Sequence, residues 1–151
     1  MNAVLEIAER EEQLVAFQLA NEIYGVDISI IQEIIRWREI TQIPRTAPDI
    51  EGVVNLRGKI VPILDLRRRL ELPAAECNGM TRIIVVEVLE YTVGMVVDSV
   101  IGVLKLPESK IEAPSQLVSD VKSDFIRGVG KMDDRLIILL NIQKVLRTEI
   151  A

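Results

Sequence analysis

Gly52-Val53-Val54-Asn55-Leu56-Arg57-Gly58-Lys59-Ile60-Val61-Pro62-Ile63-Leu64-Asp65-Leu66 carries the pattern that decides the architecture. Two runs of aliphatic and β-branched residues flank Arg57-Gly58, and glycine supplies the backbone freedom of a tight turn, so the stretch predicts a β-hairpin. Pro62 has no N–H to give a sheet, which predicts that its strand lies at an edge or a bulge. Asp65 then stands as an N-cap before a short helix through Leu72, with Leu66 and Leu70 at i and i+4. Gly52 to Lys59 superficially resembles a phosphate-binding loop. It has five residues where that loop has four, lacks a hydroxyl after the lysine, and does not open a helix.

Laid against the rest of the chain, this stretch recurs. Gly52-Val53 and Lys59 to Leu66 match Gly128-Val129 and Arg135 to Ile142 at a displacement of 76 positions. Upstream, Leu14 to Leu19 and Tyr24 to Ile28 match Ile83 to Val88 and Val93 to Val97 at 69, which also sets Ile28, Ile31, Ile34 and Ile35 on Val97, Val100, Val103 and Leu104. The second copy has a longer connection after Pro114. Each copy predicts a hairpin, an apolar stretch, a Gly-Val, a second hairpin and a helix started by Asp65 or Asn141. The first hairpin turns at Asn21-Glu22, and Asp133-Asp134 occupies the turn equivalent to Arg57-Gly58. A copy of roughly 70 residues has a marginal core by itself, and no Gly/Ser-rich or Pro-rich linker separates the two, so they are expected to pack as one cooperative unit. Short strands with brief helices suggest two small barrels.

Composition narrows the chemistry. The 151 residues are 49% hydrophobic and only 3% aromatic, which predicts an aliphatic core. There is no histidine and a single cysteine, Cys77, so histidine-dependent nucleophilic catalysis, histidine-ligated zinc and an intrachain disulfide are all excluded. A net charge of −5 with few aromatics argues against nucleic acid. No apolar run approaches the ~18 residues of a membrane span, and the opening residues lack a basic signal region, which predicts a soluble intracellular protein. The acidic residues lie scattered among basic ones as on a solvated surface, and no carboxylate pair stands out as acid and base.

Asp27 to Ile35 is the segment with surplus greasy surface. At 100° per residue its five isoleucines span an arc of roughly 160° on a helix, wider than one docking face requires. Ile28, Ile31 and Ile35 would face inward, with Ile30 and Ile34 at the rim and Glu33 beside Ile30. This reads either as a helix wedged between the halves or as a partner-binding edge, with Val97 to Leu104 as its counterpart in the second copy. Arg57, at a hairpin tip, is placed to fork onto a partner carboxylate, and Asp133 at the equivalent tip reverses the charge. Arg67-Arg68-Arg69 reads as a solvated helix face. An inter-half groove could alternatively hold a small regulatory ligand.

At these residues the sequence resembles the CheW family, the adaptors of bacterial chemotaxis. The likeness rests on Tyr24-Gly25-Val26-Asp27-Ile28, Gln32-Glu33-Ile34, Gly52-Val53, Asn55-Leu56-Arg57-Gly58, Ile60-Val61-Pro62-Ile63-Leu64-Asp65-Leu66, Val96-Val97-Asp98 and Asp134-Arg135-Leu136-Ile137-Ile138-Leu139. It runs from about Glu12 to Ile150, leaving out 1–11 and Pro73 to Gly79. The resemblance implies a mainly β fold with short helices, in which two intertwined five-stranded SH3-like β-barrels are related by pseudo-symmetry. Residues 12–151 would form one CheW-like domain, with halves of about 14–72 and 83–147 exchanging strands and 1–11 as an N-terminal tail. It implies a non-enzymatic adaptor that couples methyl-accepting chemotaxis receptors to the histidine kinase CheA in a ternary signalling complex. The receptor's cytoplasmic tip would lie in a groove between the barrels, on Ile31, Glu33, Gly52, Arg57, Val100 and Val103. The C-terminal regulatory domain of CheA would pair barrel to barrel, at residues the resemblance does not assign. No cofactor, metal, nucleic acid or direct membrane insertion is implied. The protein would be a monomer when isolated, cytoplasmic, and recruited to receptor arrays at the inner face of the membrane. A coupling protein of another chemosensory pathway, such as one for surface motility, would read the same way.

Overall fold

The computed structural model describes residues 10–44, 48–114 and 123–150. The first copy contributes β1 (Glu11–Leu19), β2 (Glu22–Asp27), β3 (Ile31–Arg36), β4 (Ile50–Leu56), β5 (Lys59–Asp65) and α1 (Leu66–Arg69). The second contributes β6 (Arg82–Val88), β7 (Tyr91–Val97), β8 (Ser99–Pro107), β9 (Ile111–Glu112), β10 (Ile126–Met132), β11 (Arg135–Leu140) and α2 (Ile142–Ile150). They form two curled sheets, ordered β8-β1-β2-β11-β10-β9 and β3-β6-β7-β5-β4, so the first hairpin of each copy joins the sheet built from the rest of the other. The expected five strands are present in each barrel, and the two-residue β9 adds a sixth to one of them.

The exchange repeats in register. Each hairpin docks through a parallel junction, Ile63 opposite Gly94 and Leu139 opposite Gly25, positions related by the displacements of 69 and 76. Ladder shifts fall at Ile50/Gly52 and Ile126/Gly128, which are likewise equivalent. The two repeat glycines are required by close approach: a Cβ on Gly52 would stand 2.2 Å from the Thr41 carbonyl oxygen, and one on Gly128 2.9 Å from Ile111 Cγ2. At Gly52 that approach lets Thr41 and Val53 exchange backbone hydrogen bonds of 3.0 and 2.8 Å, tying the chain after β3 to β4.

Side-chain alternation fills three cores. Leu14 and Ala16 of β1 point into one barrel with Leu106, Ile137 and Leu139; Val54, Val61, Ile63, Ile83 and Val85 fill the other. Their neighbours Val15, Phe17, Leu64, Ile84, Val86 and Met95 meet between the sheets, joined by Leu66 and Leu70 of α1 and Val145 and Leu146 of α2. These strands are buried on both faces, which is why they read as nearly continuous apolar runs. Burying each such side chain contributes about 1.5–3 kcal/mol, so the shared core makes separating the barrels unfavourable. Arg67 of α1 locks the corner between β7 and β8, donating to both Asp98 carboxylate oxygens at 3.0 and 2.6 Å. Asp65 and Asn141 cap the helices as expected, accepting from the Arg68 and Lys144 amides.

Four local expectations are corrected. Asp27 to Ile35 is not a helix: one 3-10 turn at Ile28–Ile30 leads directly into β3, and its counterpart in the second copy is β8. The first hairpin turns at Ala20-Asn21, one residue earlier than read, with Ala20 at φ 55°. Glu11, expected in a tail, belongs to β1 and pairs with Pro107; residues 1–9 lie outside the described residues. Pro62 lies on an interior strand, not an edge. It is accommodated because Val53, its partner, bonds to Thr41 on the opposite side, and the parallel ladder to β7 begins only at Ile63.

Candidate docking surface

The strands β3 and β8 end their respective sheets, and both contain an extra residue, Gln32 and Ile101, where the ladder shifts. A bulge of this kind places residues i and i+3 on the same face, replacing the i, i+2 rule of a regular strand. Ile31 and Ile34 are therefore opposite Val86 and Ile84, residues of the shared core. Val100 and Val103 are opposite Phe17 and Val15, also of the shared core. Within each pair the first residue is half-buried against that core. The second is open to solvent, Ile34 at 39% and Val103 at 56% exposure. The apolar interior between the barrels thus reaches the surface along two symmetry-related strands.

Charge is distributed unequally over this pseudo-symmetric frame. Arg57 occupies a two-residue turn with φ of 52°, followed by Gly58 at 84°, a geometry that twists with the strands. The Asn55 side chain accepts from the Gly58 amide at 2.8 Å and stiffens the tip. Arg57 forks onto Glu33 of β3: Nη1 donates to Oε1 at 3.2 Å and Nη2 to Oε2. The pair spans the mouth of the second barrel, above Leu56, Val61 and Val85. Arg57 remains 75% exposed, whereas Glu33 is 25% exposed. The hydrogen bond from Arg57 holds the Glu33 carboxyl below its ordinary range, outweighing the opposing effect of desolvation, and Arg38 adds to the shift. Arg38 itself donates to the Asn55 carbonyl at 3.0 Å. At the equivalent positions of the other barrel stand Gly102 and Asp133, so that mouth has no such pair.

Of the six residues expected to form a receptor site, the structure brings Ile31, Glu33 and Arg57 to one edge and puts Val100 and Val103 on the equivalent strand. Gly52 is different in kind. It is buried, and acts by permitting the Thr41–Val53 bridge rather than by presenting a surface. Sequence reasoning gave Arg57 to a partner carboxylate and missed that Glu33 already holds it; it also left Ile34 at a helix rim and missed Arg38. The displacement of 69, which sets Ile34 on Val103, was the available signal for that exposed pair. Phe17, Tyr24, Leu64, Met95 and their neighbours pack the interior between the sheets, so the buried part of the inter-half seam is filled by the protein's own side chains.

Comparison with known proteins gives a consistent set of likenesses. Residues 13–149 match the family model described as CheW-like domain. The chemotaxis protein CheW of Klebsiella aerogenes is 36% identical over 138 residues, covering 91% of this chain and 83% of that protein. Protein FrzA of Myxococcus xanthus is 32% identical over 143 residues, covering 93% and 89%. The crystal structure of the scaffolding protein TtCheW from Thermoanaerobacter tengcongensis superposes with a TM-score of 0.80 at 39% identity, over 87% of this chain and 90% of that one.

Proposed function

The chain belongs to the CheW-like family of chemotaxis coupling proteins, and from that premise we propose that it works by binding alone, joining the cytoplasmic tip of methyl-accepting receptors to the regulatory domain of the kinase CheA. The observation that carries this reading is the shared core surfacing at Ile34 and Val103, beside an ion pair whose guanidinium stays exposed. A helical receptor tip has an apolar stripe to lay on such a seam, and Arg57 supplies a charge that fixes its register. The six positions Ile31, Glu33, Gly52, Arg57, Val100 and Val103 form the proposed receptor site, with Gly52 shaping it from beneath. Coupling is then a free energy shared between two binding equilibria, because a protein that contacts both partners biases the states of each. No helix among the described residues is long and apolar enough to cross a membrane, and we place the protein in the cytoplasm, recruited to receptor arrays by its partners.

The test is co-precipitation of the purified receptor tip and the kinase regulatory domain, each alone and together. Each partner binding alone, with both captured in one complex, supports the reading; competition between them for one surface refutes it.

A further inference from the structure

The two clefts beside the helices are equivalent in the repeat, yet the described residues fill only one of them. On the α1 side, Glu51, Asp65, Arg67 and Val96 line a space of about 60 Å³ closed over by Ala74, Ala75, Glu76 and Cys77. The displacements of 76 and 69 carry those first four residues onto Arg127, Asn141, Gln143 and Asp27. These line a cleft of about 440 Å³ on the α2 side. Among the described residues the lid has no counterpart there. α1 stops at Arg69 and the chain turns back, fastened where Arg67 donates to the Pro73 carbonyl at 2.6 Å; α2 instead runs on to Ile150. The open cleft has an apolar floor of Val88, Leu140 and Ile142, and Leu89 at its rim is 60% exposed.

Its charge differs from that of the filled cleft. On the α1 side Arg67 is paired with Asp98, and the lid brings in the acidic Glu76. On the α2 side Gln143 takes the place of the arginine and Asp27 that of Val96, while Glu87 adds a second carboxylate. Glu87 accepts from the Gln32 side chain at 2.6 Å and Asp27 from the Ser29 amide at 2.9 Å, but neither forms an ion pair among the described residues, whereas Arg127 is already neutralised by Glu12 at 2.5 Å. We infer that this open cleft is a second docking site, which takes an extended segment of a partner protein built of small residues and carrying a basic side chain. The segment lies where the chain's own lid lies in the equivalent cleft, with its cation between Asp27 and Glu87. The site goes beyond the adaptor reading and shares none of its six positions, so the failure of either leaves the other standing.

The probe is an acetylated octapeptide patterned on Leu72 to Gly79, Leu-Pro-Ala-Ala-Lys-Ser-Asn-Gly, titrated into the ¹⁵N-labelled full chain. Saturable shifts are expected at the amides of Leu89, Arg127 and Gln143. The peptide with glutamate in place of lysine should bind about fivefold more weakly or worse, as should the lysine peptide to the D27N/E87Q variant, which keeps both hydrogen-bond acceptors and removes both charges. Equal binding of the two peptides, or the absence of shifts at those three amides, overturns the proposal. Shifts there that grow with protein concentration and no peptide would assign the cleft to a second copy of the chain, which also overturns it.

Discussion

Arg57 and Glu33, 24 residues apart in sequence, close an ion pair across the mouth of one barrel while the arginine stays largely in water. The pair positions the guanidinium before any partner arrives. Two of its five N–H groups are engaged by Glu33, leaving the others for an incoming acceptor.

Arg57→Asp is therefore expected to weaken receptor-tip binding about tenfold or more while changing kinase-domain binding less than about twofold. The melting temperature should move by no more than about 2 °C, because an ion pair this exposed contributes little to folding. Calorimetric titration with each partner reads the difference; equal losses for both would remove Arg57 from the receptor surface. The exchange E33R/R57D restores the internal pair but not receptor binding.

The bulged strands predict a split between neighbouring apolar residues. Val103→Asp and Ile34→Asp should each leave urea stability within about 1 kcal/mol and abolish receptor-tip binding. Val100→Asp, which puts a charge against the shared core, should cost about 2–4 kcal/mol. Parallel denaturation and binding measurements check the order.

Gly52→Ala and Gly128→Ala occupy equivalent positions with unequal consequences. At Gly52 the new methyl meets a backbone oxygen, which cannot move without breaking the Thr41–Val53 bridge; at Gly128 the nearest atom belongs to a side chain. A loss of about 2–3 kcal/mol is expected at Gly52 and about 1 kcal/mol at Gly128, by chemical denaturation.

Glu51 is half-buried, and burial, reinforced by Asp65 and opposed by Arg68, raises its carboxyl above the ordinary value of 4.5. The folded state then holds this proton more tightly than the unfolded chain does, so stability falls as pH rises from about 4.5 through the raised value. Glu51→Gln should raise the melting temperature by about 1–3 °C at pH 7 and leave it unchanged at pH 4. A melting series across that range decides it.

Arg67→Ala removes the clamp on Asp98 and leaves a partly buried carboxylate, which still accepts from the Ala20 amide at 2.9 Å. A destabilisation of about 1–2 kcal/mol is expected, discounted for the partial exposure of both groups and measured by urea titration.

Much of this architecture was legible in the chain. The hairpin at Arg57-Gly58, the helix starts at Asp65 and Asn141, and the repeat displacements all express local chemistry, and local chemistry is what a sequence records most directly. Asp27 to Ile35 was misread for a physical reason. The bulge at Gln32 brings Ile31 and Ile34 to one face, so the spacing that signals a helix arose from an irregular strand. Pro62 misled because an interior strand has a position with no N–H partner where its parallel ladder has yet to begin. The partner of Arg57 was hidden because the Glu33 contact depends on how the sheet curls, which no local pattern encodes. Ile34 and Val103 were aligned by the repeat, but their shared exposure became visible only with the strand register.

The trading of hairpins between the two halves has a mechanical meaning. A load applied to one hairpin passes through continuous backbone hydrogen bonds into a sheet that is mostly the other half's chain, so each barrel is anchored by both halves of the sequence and a pull on either is shared between them.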